Sequence, residues 1–302
     1  MDDNLSPPIY LIRLVQPLVL IVSVLGYSLG GGVAHVLGER IDWLNYLIGG
    51  LFICSIQLGY DWLSAFYDKQ LGGSFIKTGI PSADRKKEYL KLTFTFQAGL
   101  AAFTSAAVMV FLLSLRNALS LTSALFFILH VVFVLALFLP PLRLEYSGFG
   151  EIIDGMVFFV TAPALGCLLQ SGDLHRYLVM VTVPMFFLYL ALTLALGLKS
   201  YAEDIRKDRM RLLNRIGWQR GVFLHNIFIL GAFCLWCVAS LGGLPWRMIL
   251  PVFLAFPVGI FQIWQVGQIV SGAKPKWKLL QWSSYGLVIF SAYLLNFALW
   301  TG

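Results

Sequence analysis

The chain has 302 residues, of which 59% are hydrophobic and only 12% are charged, and its mean hydropathy is +0.80. Soluble domains carry about 25% charged residues, so this composition excludes an ordinary soluble protein and indicates one that crosses a lipid bilayer several times. The net charge of +7 does not indicate a nucleic-acid partner, and we expect none, because the basic residues cluster between apolar segments.

Nine apolar segments have the length of about 20 residues that an α-helix needs to cross the hydrocarbon core of a membrane. We number them spans 1 to 9, and they lie at residues 10–34, 43–66, 89–114, 118–139, 149–171, 176–198, 219–241, 247–271 and 279–300. The acidic N-terminus "MDDNLSPP" has no basic region or cleavage signal, so we expect it to lead into span 1. The sequence therefore predicts an all-α polytopic membrane bundle, folded as a single domain over residues 1–302.

Lysine and arginine are distributed unevenly between the two ends of this predicted bundle. The N-terminal segment and the loops after even-numbered spans hold 18 of them and the remaining loops hold 4, which together make the total of 22. Because basic loops stay on the cytoplasmic side, the N-terminus is predicted to be cytoplasmic and the C-terminus external. The two longest loops, 67–88 and 199–218, follow spans 2 and 6. This correspondence predicts two related four-helix halves followed by a ninth helix.

The first chemical motif lies at the end of span 2, in "QLGYDWLSAFYDKQ". Gln57, Asp61, Ser64 and Asp68 are spaced so that they fall along one stripe of a helix. A carboxylate at membrane depth costs roughly 2.5 kcal/mol or more, so it is seldom kept without a partner or a task. We therefore expect both aspartates to face one cavity at the cytoplasmic end of span 2.

The second motif follows span 6, in "KSYAEDIRKDR", where Asp204 and Asp208 are four residues apart among several basic residues. Two pairs of carboxylates that converge repel each other unless a cation lies between them. Mg²⁺ suits oxygen ligands and often bridges carboxylates to phosphates, while lysine and arginine bind the remaining phosphate oxygens. The pattern thus predicts a Mg²⁺-diphosphate site, although a solvated salt-bridge face is the alternative interpretation of either motif alone.

The two motifs and the stretch "PPLRLEYSGFGEIIDGMVFFVTAPALGCLLQSG" at residues 140–172 resemble the UbiA-type superfamily of intramembrane prenyltransferases. That family has nine transmembrane helices and two aspartate-rich motifs in cytoplasmic loops after the second and sixth. The chain looks nearest the branch that prenylates 1,4-dihydroxy-2-naphthoate. It departs from the family at Gln57, where asparagine is usual, and in a shorter loop after Asp208.

The resemblance implies transfer of a prenyl group from an isoprenoid diphosphate to an aromatic acceptor within the lipid bilayer, and that acceptor would be a naphthoate or another quinone precursor. Its implied Mg²⁺ ligands and catalytic aspartates are Asp61, Asp68, Asp204 and Asp208. Its implied diphosphate-binding residues are Gln57, Lys77, Arg143, Lys199 and Arg206. The aromatic residues nearest the motifs, and so expected to stabilise an allylic cation, are Tyr60, Tyr67 and Tyr201, with Phe66 beside them.

Glu151 and Asp154 begin span 5 and lie three residues apart on one helix face. They are catalytic candidates for positioning the acceptor or removing its proton, and the alternative is an acidic first turn favoured by the helix dipole. Two other functions stay open from the sequence. One is a UbiA-like terpene cyclase acting on a prenyl diphosphate. The other is a transporter or channel, which would need buried charges near the middle of the membrane, where these spans carry almost none.

Overall fold

The computed structural model describes the backbone of residues 7–71, 82–206 and 209–302, and the side chains within these ranges except at 7, 71 and 82–87. Within these ranges, nine helical segments are long and apolar enough to span a membrane, and no strand is present. The nine segments are Pro17–Val36, Trp43–Gln70, Glu88–Leu115, Leu121–Phe138, Gly150–Ser171, Arg176–Arg206, Trp218–Leu241, Trp246–Val270 and Trp277–Thr301. The predicted all-α bundle with nine spans is confirmed.

Thirteen α-helices make up the described ranges. They are α1 Pro7–Leu14, α2 Pro17–Val36, α3 Trp43–Leu71, α4 Ser82–Leu115, α5 Leu121–Phe138, α6 Gly150–Met156, α7 Ala162–Ser171, α8 Arg176–Arg206, α9 Leu212–Ile216, α10 Trp218–Leu241, α11 Trp246–Ile249, α12 Phe256–Val270 and α13 Trp277–Thr301. A π-helical turn, Val157–Thr161, joins α6 to α7 in span 5, and a 3₁₀ segment, Leu250–Ala255, joins α11 to α12 in span 8. Both junctions continue the direction of their span.

The predicted continuous helix over residues 10–34 is wrong, because the chain breaks between α1 and α2. Pro17 begins α2 and has no N–H to donate, and its ring disfavours the helical conformation in the preceding residue. Gln16 accordingly has φ −98° and ψ 89°, outside the helical region. The break leaves the backbone N–H of Gln16 without a helical partner, and it points that N–H towards span 2.

The predicted ends of spans 2 and 6 are also too early. Helix α3 continues from residue 66 to Leu71, and α8 continues from residue 198 to Arg206. The hydropathy falls where the charged residues begin, but a helix can extend past the apolar layer as long as its backbone hydrogen bonds are made. Both motifs are therefore carried, as far as the structure describes them, on the last turns of long helices.

The long helices pack in a repeated pattern. Helix α3 packs along α4, and α8 packs in the same way along α10, while α2 packs against α7 and α13. The pairing of the second span with the third, and of the sixth with the seventh, is the arrangement that two related halves would produce. The repeat itself stays a prediction. Large fully buried side chains fill the centre, among them Phe52, Phe138, Phe159 and Trp236.

Helix α2 approaches span 5 backbone to backbone through glycines. A β-carbon at Gly30 would overlap the carbonyl oxygen of Pro163, and one at Gly166 would overlap the carbonyl oxygen of Tyr27. Small residues at such positions allow membrane helices to approach closely. This contact fixes span 5, and the acidic residues at its beginning, against α2.

Replacement of Gly30 by alanine should therefore lower stability, because the added methyl meets backbone atoms that cannot move independently. We expect a loss of about 1–3 kcal/mol in the free energy of unfolding, measured as a lower thermal midpoint in detergent. Gly231→Ala is the matched control, since a β-carbon there meets nothing within 4 Å. That control should change stability by about 1 kcal/mol or less, in the stabilising direction. Equal midpoints for the two variants would contradict the close packing of α2 on span 5.

Candidate active site

A cavity of about 230 Å³ opens among α2, α3, span 5, α8 and α13. We call it the acidic cavity, and its walls are Gln16, Val19, Tyr60, Glu145, Gly150, Glu151, Asp154, Phe158, Tyr189, Thr193, Leu196, Arg211 and Tyr285. It lies at the end of the bundle where spans 2, 4 and 6 finish and span 5 begins. We call this end the motif end, because it carries both sequence motifs. Four of these wall residues are charged, and six are aromatic or aliphatic.

Asp61 is 2% exposed and contacts Gln16, a wall residue of the acidic cavity, but it is not itself among the wall residues. Its Oδ2 accepts a hydrogen bond of 3.0 Å from the backbone N–H of Gln16, and its Oδ1 accepts one of 3.1 Å from Nε2 of Gln57. The Gln57 Oε1 in turn accepts from the Ser23 hydroxyl on α2 at 3.3 Å. Gln57 and Ser23 thus orient the Asp61 carboxylate. The predicted role of Gln57 in binding a diphosphate stays a prediction.

Asp68 forms the most strongly paired carboxylate of the site. Arg143, which follows span 4, donates to its Oδ1, and the hydroxyl of Tyr146 donates to its Oδ2 at 2.9 Å. The guanidinium groups of Arg143 and Arg209 lie 4.7 Å and 5.0 Å from the centre of the Tyr146 ring. The structure therefore brings Arg143 to the predicted motif, where its partner is the carboxylate of Asp68.

Glu145 is a wall residue that the sequence interpretation missed. It lies between Arg143 and Tyr146 in the chain, and burial raises the pKa of its carboxyl above the ordinary value. The charge of Asp68 raises this pKa further, while Arg211, Arg143 and Arg209 act in the opposite direction. The only sequence signal for it was its place in the "PPLRLEYSGFG" stretch, which places it next to a predicted phosphate-binding arginine.

Asp204 carries the second motif and is 3% exposed. Its Oδ2 is buried and has no hydrogen-bond partner among the described residues, and Nε of Arg211 lies 3.6 Å from it. Arg211 also lines the acidic cavity, so it links Asp204 to the wall. The Oδ1 of Asn214 is a second buried oxygen without a hydrogen-bond partner in this region.

The other predicted basic ligands are less closely placed. Lys199 and Arg206 are exposed on α8, and Arg206 donates to the carbonyl of its own helix at Ala202. At about 100° per residue, they lie about 140° and 200° around the helix from Asp204, which explains why neither lines the acidic cavity. Lys77 and Asp208 lie outside the described residues.

Both acidic residues at the start of span 5 line the acidic cavity. The Oε2 of Glu151 accepts a hydrogen bond of 3.2 Å from the backbone N–H of Leu212, which ties span 5 to the segment after the second motif. The charges of Glu145, Glu151 and Asp61 all act on Asp154, although Asp154 forms no hydrogen bond with another described side chain. The three carboxylates of the wall, those of Glu145, Glu151 and Asp154, are therefore close enough to interact electrostatically.

Three tyrosines form the aromatic part of the wall, and only one of them was predicted. Tyr60 lines the acidic cavity together with Tyr189 and Tyr285. The latter two lie within apolar runs of spans 6 and 9, where nothing in the sequence distinguishes them from core aromatics. The predicted Tyr67 packs with Phe66 and Phe138, at ring-centre distances of 5.4 Å and 5.9 Å, and Tyr201 accepts from Asn214 through its backbone carbonyl.

The donor groups fit a magnesium ion that also binds a phosphate. Among the described side chains, no group of three or more histidine, cysteine, aspartate or glutamate residues is arranged to hold a metal by itself. Mg²⁺, however, is commonly held by one or two carboxylates, with water and phosphate completing its shell. Two carboxylates provide such ligands. One is that of Asp204, through its buried Oδ2, and the other is that of Asp61, whose donors among the described residues are neutral.

Comparisons with known proteins agree with this arrangement. The model of the UbiA prenyltransferase family matches residues 91–285. The fold is similar to that of a UbiA homologue from Archaeoglobus fulgidus bound to GPP and Mg²⁺, with 12% identity, a TM-score of 0.65, and coverage of 94% of this chain and 99% of that one. The same homologue bound to DMAPP and Mg²⁺ is equally similar, with 98% of that chain covered.

A digeranylgeranylglyceryl phosphate synthase structure has a TM-score of 0.61 at 12% identity, with 97% of this chain and 98% of that one covered. No curated protein is similar enough in sequence to this chain to count as a match. At 12% identity, the similarity to these structures establishes only the fold. Membership of the family is shown by the match of the family model to the sequence.

The raised pKa of Glu145 predicts a pH dependence of stability. The folded protein binds this proton more tightly than the unfolded chain, so stability should fall as pH rises above the ordinary carboxyl pKa. Glu145→Gln should remove this loss, so the variant should have a higher thermal midpoint than the parent at about pH 8 and a similar one at about pH 4. The exposed Glu39 provides the control, and Glu39→Gln should follow the parent at both values. If the thermal midpoints of Glu145→Gln and the parent changed equally with pH, burial would not disfavour the charged form of Glu145.

Proposed function

Because the chain belongs to the UbiA prenyltransferase family, we propose that it transfers a prenyl group from an isoprenoid diphosphate to an aromatic acceptor in the membrane, with Mg²⁺ as cofactor. We further propose that the acceptor is a naphthoate or another quinone precursor. One observation carries the proposal. Three carboxylates, those of Glu145, Glu151 and Asp154, line a single cavity that also has aromatic and aliphatic wall residues. Asp61 of span 2 and Asp204 of span 6 lie close enough to act electrostatically on Asp154 and Glu151 respectively. A ligand with a diphosphate head and a hydrocarbon tail matches both kinds of wall residue.

The carboxylates and arginines of the motif end would hold the diphosphate. Asp61 and Asp204, with Asp68 and Asp208, are the proposed Mg²⁺ ligands, and the bound metal would supply positive charge that stabilises the diphosphate as a leaving group. Arg211 lies on the cavity wall beside Asp204 and can donate to phosphate oxygens as a fork. The GPP and DMAPP complexes of the Archaeoglobus fulgidus homologue, both with Mg²⁺, support this assignment through the shared fold.

The aromatic part of the wall suits the charge that forms next. When the bond between the prenyl carbon and the diphosphate oxygen breaks, its electron pair leaves with the diphosphate and the carbon becomes an allylic cation. Tyr60, Tyr189 and Tyr285 can present ring faces to it, and such contacts contribute about 2 kcal/mol or more where water is excluded. The apolar residues of the same wall, Val19, Phe158 and Leu196, keep water away from the cation.

Asp154 is the proposed proton acceptor of the reaction. A ring carbon of the acceptor forms a bond to the prenyl carbon, and the ring then regains aromaticity by losing the proton from that carbon. Asp154 lines the acidic cavity without a hydrogen bond to another described side chain, whereas Glu151 is occupied by the Leu212 N–H. Asp154 is therefore available to take the proton. Glu151 instead positions the segment after span 6 through its hydrogen bond with Leu212.

We also propose that the site opens to the cytoplasm, with the N-terminus on the same side and the C-terminus outside. The motif end carries 18 of the 22 lysine and arginine residues and the other end carries 4, which supports this orientation.

Loss of either buried aspartate should abolish turnover, because the charge of the leaving diphosphate would no longer be stabilised. The assay uses purified protein with radiolabelled geranylgeranyl diphosphate and 1,4-dihydroxy-2-naphthoate, with Mg²⁺ or with EDTA. We expect prenylated naphthoate only with Mg²⁺, and a fall of about 100-fold or more in Asp61→Asn and Asp204→Asn. Asp173→Asn, an exposed position at the opposite end of the bundle, should keep full activity.

Two outcomes would count against prenyl transfer at this site. Hydrocarbon or alcohol products formed without the acceptor would replace the transfer proposal with terpene cyclisation. Consumption of the donor that does not depend on Mg²⁺ or on Asp61 and Asp204 would contradict the proposed site.

The ring of Tyr60 should matter more than its hydroxyl if it faces the cation. Tyr60→Phe should retain most of the activity, while Tyr60→Leu should lose about 30-fold in the rate of the chemical step, which corresponds to one desolvated cation–π contact. Tyr293→Leu, at an exposed position of α13, is the matched control and should be unaffected. An equal loss in Tyr60→Phe and Tyr60→Leu would instead assign the role to the hydroxyl. Single-turnover measurements report the chemical step directly.

A further inference from the structure

A second concavity lies away from the acidic cavity, between the end of α12 and the beginning of α13. It has a volume of about 250 Å³, and we call it the basic groove. The residues that matter for its chemistry are Trp264, Gln265, Gln268, Lys274, Lys276 and Leu279. It shares no wall residue with the acidic cavity, and it lies at the same motif end of the bundle.

The lysines of the basic groove have no acidic partner among the residues that the structure describes. Lys274 and Lys276 are exposed, and neither forms an ion pair with a described residue. The sequence explains this, since residues 209–302 contain no aspartate or glutamate at all. The positive charge of the groove can therefore be balanced only by an anion from outside this part of the chain.

A buried amide points to a ligand in the same place. Gln265 is 7% exposed and lines the basic groove, and its Oε1 accepts a hydrogen bond of 2.7 Å from the Ser283 hydroxyl. Its Nε2 has no hydrogen-bond partner among the described residues. The first turn of α13 has no side-chain cap, which leaves backbone N–H groups beside Lys276 as further donors.

The opposite wall of the basic groove is apolar and faces outwards. Trp264 is 58% exposed and stacks on Phe261 at a ring-centre distance of 5.7 Å, and Leu279 is also exposed. Exposed tryptophan at the end of a span is typical of the membrane–water interface. The groove thus offers donors at the level of lipid headgroups and an apolar surface directed towards the acyl chains.

We propose that the basic groove binds an anionic phospholipid. The headgroup phosphate would lie against Lys274, Lys276 and the Nε2 of Gln265, and an acyl chain would lie along Trp264 and Leu279. Basic pockets between membrane helices bind anionic headgroups in this way, and each lysine near the surface adds to the attraction. The inference does not depend on the proposed prenyl transfer, because no residue of the acidic cavity takes part.

The test measures lipid retention by native mass spectrometry of the full-length protein in detergent. Phosphatidylglycerol and phosphatidylcholine with identical acyl chains are added in equal amounts, and the ratio of bound species is recorded. Lys274→Gln with Lys276→Gln should lower the preference for phosphatidylglycerol about tenfold or more. Lys278→Gln, an exposed lysine that does not line the groove, is the matched control and should change the ratio by less than about twofold.

Each outcome decides the proposal. An equal ratio in the parent, the double variant and the control, with unchanged thermal midpoints, would overturn it. If the double variant and Lys278→Gln lost the preference for phosphatidylglycerol equally, the lipid would be attracted by a diffuse basic surface. That result would also overturn the proposed binding in the groove. Inorganic phosphate in large excess should displace little lipid, and complete displacement would identify a site for free phosphate instead. Trp264→Ala should weaken retention of both lipids if the acyl chain lies in the groove.

Discussion

The desolvation of carboxylates at the end of an apolar bundle is the constraint on which this structure depends. Asp61 and Asp204 are almost completely buried, and each must find donors or a cation to remain charged there. Asp61 receives two hydrogen bonds from neutral groups, and Asp204 has an arginine at 3.6 Å but an oxygen without a hydrogen bond. These partners hold both carboxylates in place and leave an Asp204 oxygen available to a further ligand. Carboxylates held in this way suit a cation that arrives with a phosphate.

Departures from regular helix supply several of the groups that make the site. The break before Pro17 frees the Gln16 N–H for Asp61, and the segment between spans 4 and 5 presents Arg143 and Tyr146 to Asp68. The segment after α8 returns Arg211 to Asp204 and attaches to Glu151 through its backbone. The long helices fix where these segments begin and end, and glycine contacts fix the distance between α2 and span 5.

Much of this could be predicted from the sequence. Span length and hydropathy predicted nine helices, and helical spacing placed Gln57, Asp61 and Asp68 on one face. The break at Pro17 was missed because the apolar run continues through it. Lys199 and Arg206 were chosen for proximity in sequence, but helix rotation turns them away from Asp204. Glu145, Tyr189 and Tyr285 could not be identified, since only the packing of α8, α13 and the segment before span 5 brings them to one wall.

Whether carboxylates hold a diphosphate through Mg²⁺ is tested most directly by equilibrium dialysis with a thio-analogue of geranyl diphosphate. The carbon–sulfur bond of this analogue resists cleavage, so the measurement reports diphosphate binding without the acceptor and without turnover. We expect saturable binding in Mg²⁺ that disappears in EDTA, and a loss of binding in Asp204→Asn that Asp173→Asn does not share. Binding that is equally strong in EDTA, or unchanged in Asp204→Asn, would contradict a carboxylate site that holds the diphosphate through a metal ion.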